Sequence, residues 1–597
     1  MLKNLLSIFS ILLFLVFTVS CGGDATKITP SGDETGDEQD TSSDDSDSGN
    51  SGNETTDTEP SDENHDGENN QTDPNENQEN NNEDPDNNNE DPDNNNENPV
   101  KETTTVAEPT SDFETKTEAL IVTRAEFSDV FRKFADFHTV TGIITKVVTI
   151  EDICENAVCD DSDPLNDTQK AIKDYVMSVE GLRYLVLGGD IEVVPSRQVH
   201  DKFKIELIAD YEDDFYTDLY YADFSDWDLN GNGVYAEDED VPGLIANVAV
   251  GRISVSTVEE AELYFSKLVK HYTAFNTAHM TKSLLLANIA TELSGIKVNS
   301  GYYFETEGKT ISQIPANYSI KKLYTKSTPF PGGNTAQYLD NDSEKAAIEE
   351  GMNIIVHSGH GHPKYLTCEQ ANDDNDFSAQ MAYELENETL PFFLSCACEA
   401  GQFAYKYDDS AGEKLMNAPK GGAIVYLGNT TTGLGIAGGS QFIDEMMKNM
   451  FAFPYSPIGE SYLYAHFNMP QSDTFNPPIQ MVNINVPVVN KDSWTWTKKS
   501  IVMLGDPMTV FWRDPAEHLT AEIEPEVEEN EGAKTVSLHF TPDLEGAALR
   551  IFAGDKLYDI PYLMHETVQI KIDASVETIT VGMKKENSQF FFKEFEI

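Results

Sequence analysis

The sequence predicts an α/β protein built on a mostly parallel sheet with helices on both faces, followed by an all-β tail. Three observations carry this. From residue 119 to residue 450 short apolar runs alternate with helix-spaced segments, the pattern of parallel strands joined by helical crossovers. Runs such as 184–187 and 354–356 are apolar throughout, as strands buried on both faces require. Beyond Pro515 helical spacing stops, and short alternating runs follow one another between turn residues. That tail reads as a small antiparallel β-sandwich of immunoglobulin-like type.

The chain before residue 118 is of another kind. Lys3 and the apolar run 5–19 have the size and place of a secretory signal, too short for a spanning helix. Thr18, Val19, Ser20, Cys21 and Gly22 resemble the box at which bacterial lipoproteins are cleaved and lipidated. The resemblance implies a lipoprotein signal peptide over 1–21 and a lipid on Cys21. The chain is then expected in the cell envelope, exported to the outer surface or periplasmic face, and anchored to a membrane rather than spanning it. Residues 22–117 are expected to be a disordered acidic linker. Residues 24–110 hold 28 acids against 2 Lys, with almost nothing apolar to offset the entropy of ordering. A solvated spacer is the expected role, with calcium chelation as the alternative. The formal charge of the 597 residues is −65. No clustered Lys and Arg are there to neutralise phosphates, so a nucleic-acid partner is excluded.

Residues 118–514 form the α/β domain in this reading, and 515–597 the β-sandwich. Strands are expected at 119–123, 144–150, 183–189, 246–250, 283–287, 320–324, 352–357, 390–395 and 422–427. Helices are expected at 126–137, 168–179, 258–272, 343–350 and 441–450. The first helix rests on Phe127, Val130, Phe131 and Phe134, which share one face. In the tail, strands are expected at 520–523, 535–540, 548–552, 567–572, 578–583 and 590–595.

In such sheets chemistry sits just past the carboxyl ends of strands. Two ends stand out. One carries His357, Ser358, Gly359, His360, Gly361 and His362; the other carries Cys396, Ala397, Cys398, Glu399, Ala400, Gly401, Gln402 and Phe403. Glycine on both sides of His360 lets the backbone approach a substrate closely. A Cys and a His at adjacent strand ends suit thiol catalysis, the Cys attacking a carbonyl while the His moves the proton.

These two segments resemble the gingipain-type cysteine peptidases, which share a caspase-like sheet. In that family a Gly-His-Gly after one strand supplies the catalytic His, and an Ala-Cys-x-x-Gly-x-Phe after the next supplies the nucleophile. The resemblance therefore implies His360 rather than His357 or His362, and Cys398 rather than Cys396. It also implies an oxyanion hole from the backbone amides of Gly361 and Cys398. It extends over about 118–514, through Leu187, Gly188, Gly189 and Asp190 with Pro195, through Gly251 and Arg252, through 422–430, and through Leu504, Gly505, Asp506 and Pro507. An immunoglobulin-like domain often follows at this point in the family. The implied activity is that of a cysteine endopeptidase acting on peptides or proteins through an acyl-enzyme, with no organic cofactor. Members that cut after Arg place an acid in the specificity pocket. No acid in 291–305 aligns with it, so no arginine preference follows. Glu292 is the candidate for an acid that supports the His.

Other readings share these residues. His357, His360, His362, Cys396 and Cys398 could offer zinc ligands, though the Cys-x-Cys spacing is not that of a zinc knuckle. A surface adhesin or binding scaffold could keep the sheet without turnover. Separately, Asp228, Asn230 and Asn232, then Gly233, the Val234 carbonyl and Glu239, stand at positions one, three, five, six, seven and twelve of a calcium loop. A structural Ca2+ is expected there. Cys154 and Cys159, in a polar loop of an exported chain, suit a local disulfide. Cys368 is expected to be unpaired packing.

Overall fold

The computed structural model describes residues 104–597, apart from 112, 206–208, 275, 294–295, 308–309, 369–374, 436–437, 454, 470–478, 482–483, 487–490, 531 and 587. The signal segment with Cys21 and most of the expected linker lie outside the described residues.

An eleven-stranded sheet organises the α/β part. Its strands are β1 (Ala119–Thr123), β2 (Thr145–Thr149), β3 (Tyr184–Gly188), β4 (Ala249–Ile253), β5 (Lys282–Ala287), β6 (Ser319–Tyr324), β7 (Gln337–Tyr338), β8 (Ile354–Ser358), β9 (Phe392–Ser395), β10 (Val425–Asn429) and β11 (Ile501–Gly505). The order across the sheet is β7-β6-β5-β8-β9-β10-β11-β4-β3-β1-β2. All pairs are parallel except β10 with β11. The sheet is thus two parallel halves laid head to tail, and β5, β8, β9 and β10 open their carboxyl ends on one edge. Every residue of β1, β3, β4, β8, β9, β10 and β11 is buried, as a sheet covered on both faces demands.

The helices that cover it form where the sequence spaces its apolar residues. In α1 (Ser128–Thr141), Val130, Phe131, Phe134 and Phe137 are buried. In α2 (Val258–Thr273), Thr257 and Glu260 close a capping box, which satisfies two N-terminal amide donors. The rings of Phe137 and Tyr272 lie 5.1 Å apart, edge to face, and tie α1 to α2. Among the described residues no helix is long and apolar enough to cross a membrane.

Two strands differ in place from the expectation. The run expected at 246–250 becomes β4 at 249–253, and that expected at 422–427 becomes β10 at 425–429. The first holds Arg252, a charge inside a buried strand. The hairpin Arg197–Ile205 with Ala209–Thr217 was not expected.

The tail supplies seven strands of two four-stranded sheets around one apolar core containing Val536, Leu538, Leu549, Ile551, Ile570 and Val581. The expected linker is corrected at its end. Thr104–Val106 is a strand, parallel to Thr567–Gln569 at the edge of one tail sheet. Phe113 is buried with Ile144 and Leu557. Each segment brings an apolar side chain, Val106 and Phe113, of a kind that residues 29–99 lack. The tail also packs against α1 and α2. Phe592 meets Phe137 at 4.9 Å, Phe590 meets Tyr272 at 5.3 Å, and the Arg550 guanidinium donates to the Thr139 carbonyl at 3.1 Å. A structural brace is the role these contacts support.

Candidate active site

β8 and β9 are neighbours in register, Ile354 beside Phe392 and His357 beside Ser395. The chain past each strand therefore emerges side by side. Gly361 decides how close the two loops come. A Cβ there would stand 2.8 Å from the Ala397 Cβ and 2.9 Å from the Cys398 carbonyl oxygen. No side chain fits, and the loop bearing His360 rests directly on the loop bearing Cys398.

The structure separates the histidines. His357 is fully buried and its Nδ1 pairs with the Ser395 hydroxyl at 2.9 Å. Burial, then nearby His360, pushes its pKa down to about 3, so it is a neutral packing residue. His362 stacks on Tyr365, ring centroids 5.1 Å apart. His360 has its amide on the Asn288 side-chain oxygen at 3.2 Å and its carbonyl on the Thr367 amide at 3.2 Å. The cysteines separate as well. Cys396 is buried with its Sγ 3.6 Å from the Ser358 and Ser440 hydroxyls, and burial pushes its thiol up. Cys398 is 1% exposed, and its Sγ donates to the Gly433 carbonyl at 3.6 Å. Of the five residues that could have made a zinc site, His357, His362, Cys396 and Cys398 turn to different partners. Among the described residues no three His, Cys, Asp or Glu side chains gather as metal ligands would.

The Cys398 loop is stitched to the end of β10. The Asn429 side-chain amide donates to the Ala397 carbonyl at 2.9 Å, the Glu399 amide to the Thr431 carbonyl at 2.9 Å, and the Gly401 amide to the Asn429 carbonyl at 3.0 Å. Glu399 holds φ at +54°, a left-handed turn costly for a side-chain-bearing residue and retained here by those bonds. Beneath it, Arg252 explains the other motifs. Its guanidinium is bidentate to Asp218 at 2.8 and 2.7 Å and donates to the Gly189 and Val194 carbonyls. It also lies 4.5 Å from the Phe403 ring centroid. A buried charge with every guanidinium nitrogen engaged and a carboxylate beside it is tolerated. Gly251 is needed because a Cβ would meet the Gly505 carbonyl at 2.4 Å.

Asp190 is joined to Glu413 through Ser254, whose hydroxyl lies 2.9 Å from one carboxyl and 2.7 Å from the other. One hydroxyl carries one proton. The second contact needs a proton from a carboxyl, so the pair holds one. Burial, then Asp190, accordingly pushes Glu413 up to about 8.

The acidic loop is ordered by its own side chains. Asp228 accepts from the Asn232 and Gly233 amides at 3.0 and 2.8 Å, and Asn232 accepts from the Val234 amide at 2.7 Å. Glu237 accepts from the side-chain amides of Asn230 and Asn232. The expected closing residue stands apart from these bonds. Glu239 is exposed, while the buried Asp240 turns inward and accepts from the Leu229 and Glu237 amides. Ala236 at φ +61° turns the chain just before this point and re-phases the residues after it. Cys154 and Cys159 are bonded, with Cα atoms 5.7 Å apart. Cys368 is free and buried, its thiol donating to Glu344 at 3.3 Å. Glu292 lies on the strand Ile289–Leu293, but its side chain lies outside the described residues. Glu305, at the end of the segment that held no aligned acid, accepts from Lys322 and Tyr324.

Sequence reasoning missed Asn288 as a part of this edge. A lone polar residue ending a buried run, as Asn288 ends β5, was the available signal.

The family model described as Peptidase family C25 matches residues 113–512. No curated protein matches the chain. Among solved structures, the chain is similar to the complex of the RgpB pro- and mature domains from Porphyromonas gingivalis, with TM-score 0.52 and 17% identity over 80% of this chain and 99% of that one. It is likewise similar to the Arg-specific cysteine proteinase gingipain R, with TM-score 0.53 and 17% identity over 82% of this chain and 99% of that one. A third structure, described only as a protease, matches with TM-score 0.50 and 13% identity over 81% of this chain and 97% of that one.

Proposed function

Because the chain belongs to peptidase family C25, whose members are cysteine peptidases acting on peptide or protein substrates, we propose that it is an endopeptidase working through Cys398 and His360. The observation that carries this is the Gly361 contact, which seats the His360 loop on the Cys398 loop. The Cys398 thiolate attacks the scissile carbonyl carbon, and the amides of Gly361 and Cys398 stabilise the oxyanion. Collapse breaks the C–N bond, His360 protonates the departing amine, and an acyl-enzyme remains. His360 then takes a proton from water, whose oxygen attacks the thioester and releases the acid and the thiol. Since Cys398 is 1% exposed beneath the Gly433 carbonyl, substrate entry has to displace that segment. The Arg specificity of gingipain R is not carried over, since a likeness at 17% identity is one of fold.

The test is covalent labelling by an electrophilic peptide ketone. Rapid labelling of the wild type and none of Cys398→Ala supports the reading. Labelling that survives Cys398→Ala overturns it, and no labelling of the wild type favours the binding scaffold instead.

The proposal extends to three further features. Asp228, Asn230, Asn232 and the Val234 carbonyl hold a structural Ca2+, with Glu237 or Asp240 supplying the carboxylate first assigned to Glu239. A thermal midpoint raised by millimolar calcium supports this, and an unchanged midpoint removes it. Cys21 carries the lipid that anchors the exported chain; partition of the wild type, but not of Cys21→Ser, into detergent phase is the expected outcome. The two tail sheets form an immunoglobulin-like sandwich, a reading their shared core supports.

A further inference from the structure

We propose that Asn288 is the positioning residue of His360, an inference that rests on the peptidase reading above. Asn288 directly follows β5, the strand next to β8, and is fully buried. It meets the His360 loop three times. Its backbone amide donates to the Ser358 carbonyl at 3.2 Å, its Oδ1 accepts from the His360 amide at 3.2 Å, and its Nδ2 donates to the Thr367 carbonyl at 2.7 Å. The Thr367 amide in turn donates to the His360 carbonyl at 3.2 Å. A closed ring of Asn288, His360 and Thr367 therefore holds both polar ends of the His360 residue.

Only an amide side chain fits this role. It presents an acceptor and a donor from one flat group, whereas an ionised carboxylate only accepts and would face the Thr367 carbonyl with lone pairs. The ring also gives Gly359 its reason. A Cβ there would stand 2.2 Å from the Asn288 Cγ, so the glycine before His360 makes room for the amide. Ser300 fixes Asn288 from behind, its amide donating to the Asn288 carbonyl at 2.9 Å and its hydroxyl lying between the Asn288 and Ser358 carbonyls. With its backbone pinned at both ends, His360 is left only its side-chain torsions with which to present its ring to Cys398.

The experiment uses the full chain with Asn288→Ala, Asn288→Asp, Gly359→Ala and the double variant Asn288→Ala/Gly359→Ala. It reads kcat, KM and the pH profile of Cys398 alkylation by iodoacetamide, each per active site titrated. The expected result for Asn288→Ala and Asn288→Asp is a kcat lowered about 10- to 100-fold, the loss that a roughly 1 Å misplacement causes. KM stays near the wild-type value, and the alkylation profile moves toward that of His360→Ala. Gly359→Ala is expected to lose activity alone but to cost nothing further beside Asn288→Ala, because both act through one ring. An unchanged kcat and alkylation profile in Asn288→Ala overturns the proposal, and so do additive losses in the double variant. If Asn288→Ala does not fold, Asn288→Ser carries the same readings. Wild-type cleavage that survives Cys398→Ala overturns the peptidase reading instead, which keeps the two failures apart.

Discussion

The catalytic edge of the large sheet and the face that α1 and α2 offer to the tail sheets are both buried, but they are held differently. At the edge, the contacts are directed: the Asn429 amide on Ala397, the Glu399 amide on Thr431, the Asn288 amide on His360. At the tail they are rings on rings, Phe137 with Phe592 and Tyr272 with Phe590. Ring packing contributes stability with little demand on angle, whereas hydrogen bonds contribute less energy each and fix direction. Substitutions at the edge should therefore cost rate, and substitutions at the tail should cost stability.

The largest effect expected is at the edge. Cys398→Ala and His360→Ala should each lower kcat by about 10⁴-fold or more with the thermal midpoint nearly unmoved, as read from peptide cleavage and melting of the same samples. Phe137→Ala should do the reverse. Removing that ring from between α2 and the tail should lower the unfolding free energy by about 3–5 kcal/mol in denaturant melts, with kcat of the folded fraction unchanged. A kcat loss there would show that the two regions are coupled.

A third experiment separates them by pH. Glu413, beneath the Cys398 loop, is raised from its ordinary 4.5 to about 8, so the folded protein holds a proton there that the unfolded chain has released. Its stabilising contribution is complete below about pH 4.5 and declines as pH rises toward about 8. Glu344, raised to about 8 by burial, acts in the same direction. Denaturant melts from about pH 5 to about pH 8 should show falling stability, with a shallower fall in Glu413→Gln. An unchanged slope in that variant would remove the shared proton. The smallest effect is expected at Cys396→Ala. Its thiol makes only 3.6 Å contacts, so most activity should remain, with about 1 kcal/mol of stability lost.

Legibility in the sequence divides along the same line. β8 and β9 were legible because a strand buried on both faces must be apolar throughout, and the reactive residues stand just past such runs. The hairpin Arg197–Ile205 with Ala209–Thr217 was not, because charges such as Lys202, Lys204, Glu212 and Asp213 disguise its alternation. Glu524–Asn530 was hidden for a similar reason: it is a strand of mostly exposed acids, paired on one side only. The side chain of Asn288 has partners 70 and more positions away, and its one local mark is to be a polar residue after the apolar run of β5. Arg252 looked foreign to a buried strand until Asp218 was placed beside it. Glu239 was placed by counting positions in a calcium loop, and a count does not show that Asp240 is the buried carboxylate there.

The strand Thr104–Val106 has a mechanical consequence. It lies parallel to Thr567–Gln569 in the tail, so a pull on the chain that leads into it loads the tail sheet first, along the strands. Shear of that kind is shared among the ladder bonds at once instead of breaking them one by one. The catalytic sheet, reached along the chain past Phe113 and β1, stands behind this joint as behind a strain relief.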